Sequence, residues 1–411
     1  MTIALNVALI LTTAVAITIL FSKRLVDSPT YRATVTPLAS IIGSGFLVSV
    51  PLLASVLGNY ALFGMTALIV FAYCVGGAIR FNILHGEPLF RTGPRNGAGS
   101  LAYLSERISH VVLAGAYFVS VAYYLSLLSI FLLKGVGIDD PLMARSMTTL
   151  FLAFIGGFGF IRGLRGLEGL EEYAVGFKLA VIAAILAALA LHNIHLSTTG
   201  TWHLRDLTTH LDSEAIRILC GFVIVVQGFE TSRFLAGQYP PALRVRTMRN
   251  AQLISGAIYL AFFALATVMF QNHFAKGEVA AIIDIVGKLA FVLPIMLTGA
   301  AVASQFSASI ADAIGAAGLL HATLPERFPL SYYYPAIATV AIALVWSGSV
   351  FEIIAHASRA FAFYYFLQCV VAGFVTFAAP DVTRRPARLV WFGSLATISL
   401  AAAIFGIPTE G

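Results

Sequence analysis

The sequence predicts an all-α membrane protein whose helices cross the bilayer many times. Its 411 residues are 59% hydrophobic and only 11% charged, and the mean hydropathy is +0.90. A chain of this composition is too apolar for a soluble fold, so most of its surface must face lipid. Apolar stretches of about 20 residues, long enough to cross the hydrocarbon core as helices, recur from end to end. The polar segments between them are too short to form a soluble domain.

Twelve such stretches are present, and each is predicted to form one transmembrane span. They cover residues 2–22, 33–57, 60–84, 100–132, 146–163, 172–192, 213–236, 250–271, 288–319, 333–349, 351–379 and 388–407. Basic residues follow the first span and none precedes it, and no small-residue cleavage site is present, which is unlike a secretory signal peptide. We therefore expect the first span to be a retained extra helix.

The distribution of Lys and Arg sets the expected orientation. With the N-terminus outside, 17 of these residues lie at cytoplasmic ends of spans and 6 at outer ends, while Lys178 and Arg359 lie within spans. Cytoplasmic loops carry the excess of Lys and Arg in membrane proteins. The net charge of +6 then reflects topology, and the arginines form no aromatic-interleaved patch typical of a nucleic-acid surface. We expect both termini outside, a multi-pass location in a plasma or bacterial inner membrane, and no nucleic-acid partner.

Several function classes have no motif in this chain. Cys74, Cys220 and Cys369 lie within apolar spans and lack CxxC or His–Cys ligand spacing, so no disulfide framework and no zinc site are predicted. The chain has no HExxH, no GxSxG and no nucleotide-binding P-loop. A channel is disfavoured because no charged ring or repeated carbonyl filter is evident. We expect neither an enzyme nor a bound cofactor or metal.

Two of the spans are interrupted near their middle. Residues 42–45 of the second span read Ile-Gly-Ser-Gly, and residues 226–230 of the seventh read Val-Gln-Gly-Phe-Glu. A helix that stops inside a membrane offers unpaired N–H groups to a carboxylate and unpaired carbonyls to an ammonium group. Close helix packing is the alternative interpretation of the first break. The pattern predicts a substrate site formed by Ile42, Gly43, Ser44, Gly45, Gln227, Gly228 and Phe229, with Tyr123 and Tyr124 as further wall residues.

Three segments of the chain resemble characteristic segments of the amino acid-polyamine-organocation (APC) superfamily. Residues 43–51, a Gly-Ser-Gly followed by Pro, are similar to the unwound first core helix of that family. Residues 94–104, Pro-Arg-Asn-Gly-Ala-Gly-Ser-Leu-Ala-Tyr-Leu, resemble the segment before its third core helix. Residues 228–240 resemble its sixth core helix and the loop beyond, although the acidic residues common after that helix are missing. We therefore expect no inner-gate ion pair of the usual kind.

The resemblance implies a LeuT-like bundle of two inverted five-helix repeats, in which the first and sixth core helices are discontinuous. The repeats would cover residues 32–192 and 193–379. An extra N-terminal helix over residues 1–31 would precede them, and one helix over residues 380–411 would follow.

The same resemblance implies a secondary transporter of amino acids or related small amine-containing solutes, working by alternating access. Lys178 corresponds to a lysine on the fifth core helix that replaces a sodium ion, which implies sodium-independent transport driven by protons or exchange. A lysine snorkelling to the cytoplasmic interface is the alternative. Glu230 is the leading carboxylate for proton coupling, unless it satisfies the amides freed by the break or pairs with Arg233. A transport-dead sensor or accessory membrane subunit is the alternative function.

Further polar residues lie on the eighth and tenth core helices. Ser304 and Ser307 occupy the region where sodium-coupled relatives place hydroxyl ligands, but such residues also act as helix-packing groups, and Asp312 follows on the same helix. Glu352, His356 and Arg359 follow i, i+4, i+7 spacing and share one helix face. We expect this face to be shielded from lipid, either at the outer gate or in a buried polar network.

Overall fold

The computed structural model describes residues 2–43, 45–91, 93, 97–164, 169–204, 207, 211–270, 280–323 and 328–408. Regular structure in these ranges is entirely helical and includes no strand. The first half contains α1 (Thr2–Leu20), α2 (Lys23–Val26), α3 (Pro29–Ile41), α4 (Gly45–Leu57), α5 (Ala61–Phe81), α6 (Glu87–Arg91), α7 (Ala98–Gly135), α8 (Pro141–Arg162) and α9 (Gly169–Thr198). The second half contains α10 (Ser213–Cys220), α11 (Pro241–Ala266), α12 (Ala281–Gly287), α13 (Val292–Thr323), α14 (Tyr333–Ser347), α15 (Val350–Ala378) and α16 (Arg385–Phe405).

Helix occupies each of the twelve predicted spans, although nine stretches of the described chain are long and apolar enough to cross a membrane. One of these nine, residues 29–91, includes both the second and the third predicted spans. The first span forms α1, whose apolar part Leu5–Leu20 is a shorter helix. The seventh span is divided into short helices, and none of them is long enough to cross a membrane by itself.

Both predicted interruptions are present in the structure. The first separates α3 from α4 after Ile41. The second follows α10, where the chain forms two short 3₁₀ helices, Val223–Val226 and Phe229–Gly237. Gly228 joins the two 3₁₀ helices with a φ of +112°, a backbone conformation that residues with a Cβ rarely adopt.

Three long helices form the centre of the bundle. The 38-residue helix α7 packs along both α13 and α15. The two terminal helices pack on other elements: α1 lies against α9, where Phe21 stacks on Tyr173 at a ring distance of 5.7 Å, and α16 lies against α15. The interrupted helices are held between this centre and helix α11.

Candidate functional site

The two helix breaks contact each other through their backbones. A Cβ atom added to Gly228 would lie 2.4 Å from Ser40 Oγ, and one added to Gly45 would lie 2.7 Å from Val225 Cα. Neither distance leaves room for a side chain. Glycine at both positions therefore allows the broken helices to approach more closely than any other residue would.

Tyr259 of α11 ties the two breaks together. Its hydroxyl lies 2.7 Å from the Val225 carbonyl oxygen and 3.2 Å from the Ile41 carbonyl oxygen. These carbonyls have lost their helical partners, so a shared donor reduces the cost of burying them. Across the site, Gln227 donates from Nε2 to the Tyr124 hydroxyl at 2.7 Å. The breaks are thus connected to both α11 and α7.

Two amide groups of the breaks, those of Gly43 and Gly228, are paired within the protein. Gly43 donates its N–H to the Ser40 carbonyl at 3.1 Å. Gly228 donates its N–H to the Glu230 carboxylate, whose two oxygens lie 3.1 and 3.0 Å away. Ser44, predicted to form the middle of the cradle, lies outside the described residues. The Gly43 and Gly228 amides are therefore satisfied locally in this conformation.

Glu230 holds the second break in shape. It is fully buried and accepts a further hydrogen bond from the Tyr365 hydroxyl at 3.2 Å, in addition to the Gly228 amide. The predicted pairing with Arg233 is wrong, because Arg233 forms an ion pair with Glu106 of α7. Of the interpretations offered by the sequence, the geometry matches an acceptor for freed amides.

Lys178 is buried and points to the first break. Its side chain is 5% exposed, and Nζ donates to the Ala39 carbonyl oxygen at 2.9 Å. Ala39 lies in the last turn of α3, just before the break. The snorkelling alternative is therefore excluded. The carbonyl end of a helix carries partial negative charge and favours a cation. The buried Lys178 ammonium group supplies that cation at the end of α3.

A cavity of about 340 Å³ lies beside Lys178. It extends along α3, the 3₁₀ helix Phe229–Gly237, α9 and α13, on the half of the bundle that the charge pattern assigns to the cytoplasm. Its polar lining consists of Thr36, Ser40, Tyr117, Lys178, Thr231, Gln238, Ser304, Ser307 and Asp312. The cavity therefore touches both broken helices and contains the two predicted serines of α13.

The wall formed by α13 and α7 contains a buried carboxylate. Asp312 is 4% exposed and accepts a hydrogen bond on Oδ2 from the Ser120 hydroxyl of α7. Ser304 and Tyr117 each line the cavity with a buried hydroxyl oxygen that has no protein partner. Polar groups buried without a partner are uncommon and point to a ligand or water.

Two ion pairs lie next to the second break, on the half of the bundle that the charge pattern assigns to the cytoplasm. Arg233 pairs with Glu106 and also donates to Gln368 Oε1 of α15 at 2.8 Å. Arg244 is fully buried and contacts the Glu87 carboxylate with both terminal nitrogens, at 2.8 and 2.6 Å. A paired guanidinium and carboxylate with two parallel bonds is a strong, geometrically defined contact.

The predicted polar face on α15 is located differently from the expectation. Glu352, His356 and Arg359 are all exposed, so they do not form the buried polar network that was one of the two predicted alternatives. Glu352 accepts the Ser349 N–H at 2.6 Å and caps its own helix, while Arg359 donates to the Ala403 carbonyl of α16 at 2.9 Å. The i, i+4, i+7 spacing correctly placed the three on one face, but that face lies beside α16 and away from the cavity.

The remaining predicted wall residues are buried near the breaks. Ile42 is fully buried. Phe229 stacks on Tyr365 with ring centres 5.2 Å apart, and Tyr123 lies 5.3 Å from Tyr124. Residues 94–96 of the segment before α7 lie outside the described part of the chain.

Sequence reasoning did not identify several residues that organise this site. Tyr259 and Tyr365 are tyrosines in apolar helices, where most aromatic residues serve packing. Glu106 is a polar residue in the first turns of its predicted span, where polar residues ordinarily occur, and Gln368 is an uncharged polar residue within an apolar span. A polar residue within an apolar segment was the available signal, and it does not indicate a partner.

Comparison with known proteins agrees with this architecture. A family model described as an APC superfamily transporter matches residues 23–406. A protein of Aquifex aeolicus (strain VF5), described as uncharacterized, is 42% identical over 382 residues, which cover 92% of this chain and 91% of that relative. The crystal structure of a mutant of the Eremococcus coleocola manganese transporter has a TM-score of 0.53 and 13% identity, covering 94% of this chain and 89% of that one.

At 13% identity, the structural likeness shows a shared fold and nothing more. The family match covers nearly the whole chain, residues 23–406. An all-helical bundle with many candidate membrane crossings and two interrupted helices is consistent with both findings. The chain belongs to the APC superfamily of transporters and is a multi-pass membrane protein.

Proposed function

We propose that this transporter carries amino acids or related small amine-containing solutes, without sodium, by proton coupling or exchange. Its core would consist of two inverted five-helix repeats, residues 32–192 and 193–379, with α1 and α16 outside them. The observation that carries the proposal is the hydrogen bond from Lys178 Nζ to the Ala39 carbonyl at the end of α3.

The Lys178 contact supports sodium independence on electrostatic grounds. The carbonyl end of a broken helix carries partial negative charge and attracts a cation. In this chain the cation is a covalently attached ammonium group, which is 5% exposed and lies beside the cavity. A sodium ion at the same place would meet a like charge in a poorly solvated environment, which is unfavourable.

An organic amine suits the breaks better than a transition metal does. Manganese prefers carboxylate, carbonyl and water ligands in an open octahedral arrangement. The breaks offer one carboxylate, Glu230, and both of its oxygens already face the Gly228 amide. We therefore do not extend the substrate of the manganese transporter to this chain.

The conformation favours an inward-facing state. The cavity lies on the half assigned to the cytoplasm and reaches both broken helices, which are in contact where Gly45 meets the Val225 backbone. Ser358 of α15 reinforces this contact by accepting the Ile224 N–H at 3.1 Å. Alternating access would require these contacts to separate in the outward-facing state.

Uptake by purified protein in liposomes tests the proposal. A mixed pool of radiolabelled amino acids is offered under a proton gradient, a sodium gradient, or unlabelled amino acids inside. We expect uptake driven by protons or counter-substrate and unaffected by sodium. Uptake that requires sodium would contradict the role of Lys178.

A matched pair of lysine variants isolates that role. Lys178→Ala should lower uptake about tenfold or more, because a hydrogen bond from a charged group is removed next to the break. Lys134→Ala, which removes a lysine paired with Asp284 away from the cavity, should leave uptake near the wild-type rate. Equal uptake by both variants would overturn the assignment. Ligand binding without flux in the wild type would favour the sensor or accessory-subunit alternative.

A further inference from the structure

We propose that Asp312 binds the ammonium group of the substrate in the cytoplasmic cavity, on the wall opposite the broken helix α3. The inference rests on the proposed function, and it names the chemical group that this wall recognises. The sequence pattern predicted that the carbonyls of the breaks bind the ammonium group of the substrate. The inference gives that role to Asp312 of α13.

The charges within the cavity carry the argument. Of the described residues that line it, the charged ones are Lys178 and Asp312. They belong to different helices, α9 and α13, and both are at least nine-tenths buried. Two opposite charges in one small cavity match a solute that carries both a carboxylate and an ammonium group.

The hydroxyls around Asp312 show that the wall is built for a polar ligand. Ser304 Oγ and the Tyr117 hydroxyl are buried, line the cavity and have no protein partner. Ser120 donates to Asp312 Oδ2 from α7 and so fixes the orientation of the carboxylate. A cavity of about 340 Å³ is at the small end of the range of small-molecule sites, about 300 to 1,000 Å³.

Glu230, the carboxylate favoured by the sequence, is less suited to this role. It is fully buried and does not line the cavity. Its oxygens accept from the Gly228 amide and the Tyr365 hydroxyl. Moving these bonds to a substrate would leave the buried Gly228 amide or the buried Tyr365 hydroxyl without its acceptor, which is unfavourable. Asp312 therefore remains as the carboxylate that faces the cavity.

The test compares competitors that differ in one charged group. Proteoliposomes carrying wild type, Asp312→Asn or Asp312→Glu take up the pool of radiolabelled amino acids, and the competitors are unlabelled amino acids, the corresponding primary amines and the corresponding hydroxy acids. Asp139→Asn, which changes an exposed aspartate, is the matched control. The readout is the concentration of each competitor that halves uptake.

We expect Asp312→Asn to raise this concentration about tenfold or more for amino acids and amines, because a charge-assisted hydrogen bond is lost, and to leave it unchanged for hydroxy acids. Asp312→Glu keeps the charge but displaces it by one methylene, so the concentration of amine that halves uptake should rise by a smaller factor. Unchanged amine inhibition in either variant would overturn the proposal, as would an equal loss for all three competitor classes.

Failure of the inference and failure of the proposed function give different results. If wild-type protein transports neither amino acids nor amines, the proposed function is wrong and the role of Asp312 falls with it. If wild type transports them and Asp312→Glu, checked for folding by its melting temperature, keeps wild-type selectivity, only the role of Asp312 is wrong.

Discussion

Gly228 and Ser40 lie in direct contact across the two helix breaks. A Cβ atom on Gly228 would lie 2.4 Å from Ser40 Oγ and 2.6 Å from the Ser40 carbonyl carbon. Since residues with a Cβ also avoid a φ of +112°, both the backbone conformation and the available space require glycine at position 228. The contact joins the first and second halves of the chain at the two breaks.

Gly228→Ala should therefore destabilise the protein by about 1 to 3 kcal/mol from backbone strain alone, with the steric clash adding to this. Gly237→Ala is the matched control, because nothing lies within 4 Å of a Cβ at that position. Thermal unfolding in detergent and uptake in liposomes measure the two variants. A stable and active Gly228→Ala protein would show that the breaks do not make this contact.

Glu106→Gln should destabilise the cytoplasmic end of the bundle. The variant leaves the buried Arg233 guanidinium without its carboxylate, and breaking a buried ion pair on one side costs about 3 to 5 kcal/mol. Glu352→Gln, at an exposed position, should change the melting temperature little. Replacing Arg233 by Met in the Glu106→Gln background should recover part of the loss. If the double variant is as unstable as the single one, an unpaired charge is not the cause.

Tyr259→Phe should loosen the junction of the two breaks. It removes the donor shared by the Val225 and Ile41 carbonyls, at a cost of about 1 to 3 kcal/mol for leaving buried acceptors unsatisfied. Tyr60→Phe removes a hydroxyl from a largely exposed ring and is the control. Thermal unfolding in detergent gives the melting temperature of each variant. Equal melting temperatures would show that water replaces the hydroxyl.

Cysteine labelling in cells tests the predicted orientation. His203 follows α9 on the side expected outside, and Arg384 precedes α16 on the side expected inside. With the native cysteines replaced, His203→Cys should react with a membrane-impermeant maleimide in intact cells, and Arg384→Cys should react only after permeabilisation. The reverse pattern would invert the topology inferred from the Lys and Arg distribution.

The helices and their two interruptions could be predicted because they depend on local sequence. Hydrophobic stretches of membrane-crossing length identified the spans, and Gly43 and Gly228 marked the breaks. Lys178 was recognised as unusual because a charge within an apolar span is costly wherever it lies. The same local reasoning placed Glu352, His356 and Arg359 on one face, but it could not show that this face lies beside α16.

Partners of the polar residues depended on distant parts of the chain. Arg233 could pair with Glu230 three positions away, yet its carboxylate is Glu106, which is 127 residues distant in sequence. Asp312 was noted only as a polar residue on the same helix as Ser304 and Ser307, because nothing in its surroundings on α13 reveals Ser120, Lys178 or a shared cavity.

The sequence by itself determined that this chain is a helical membrane protein with two broken helices and a charge pattern that orients it. These properties follow from hydropathy, glycine content and the position of Lys and Arg, each of which acts over one helix or less. Only the tertiary structure decided that Lys178 meets Ala39, that Glu230 closes on Gly228, and that Asp312 shares a cavity with Lys178. In a bilayer every buried polar group needs a partner, and packing between helices selects which one it finds.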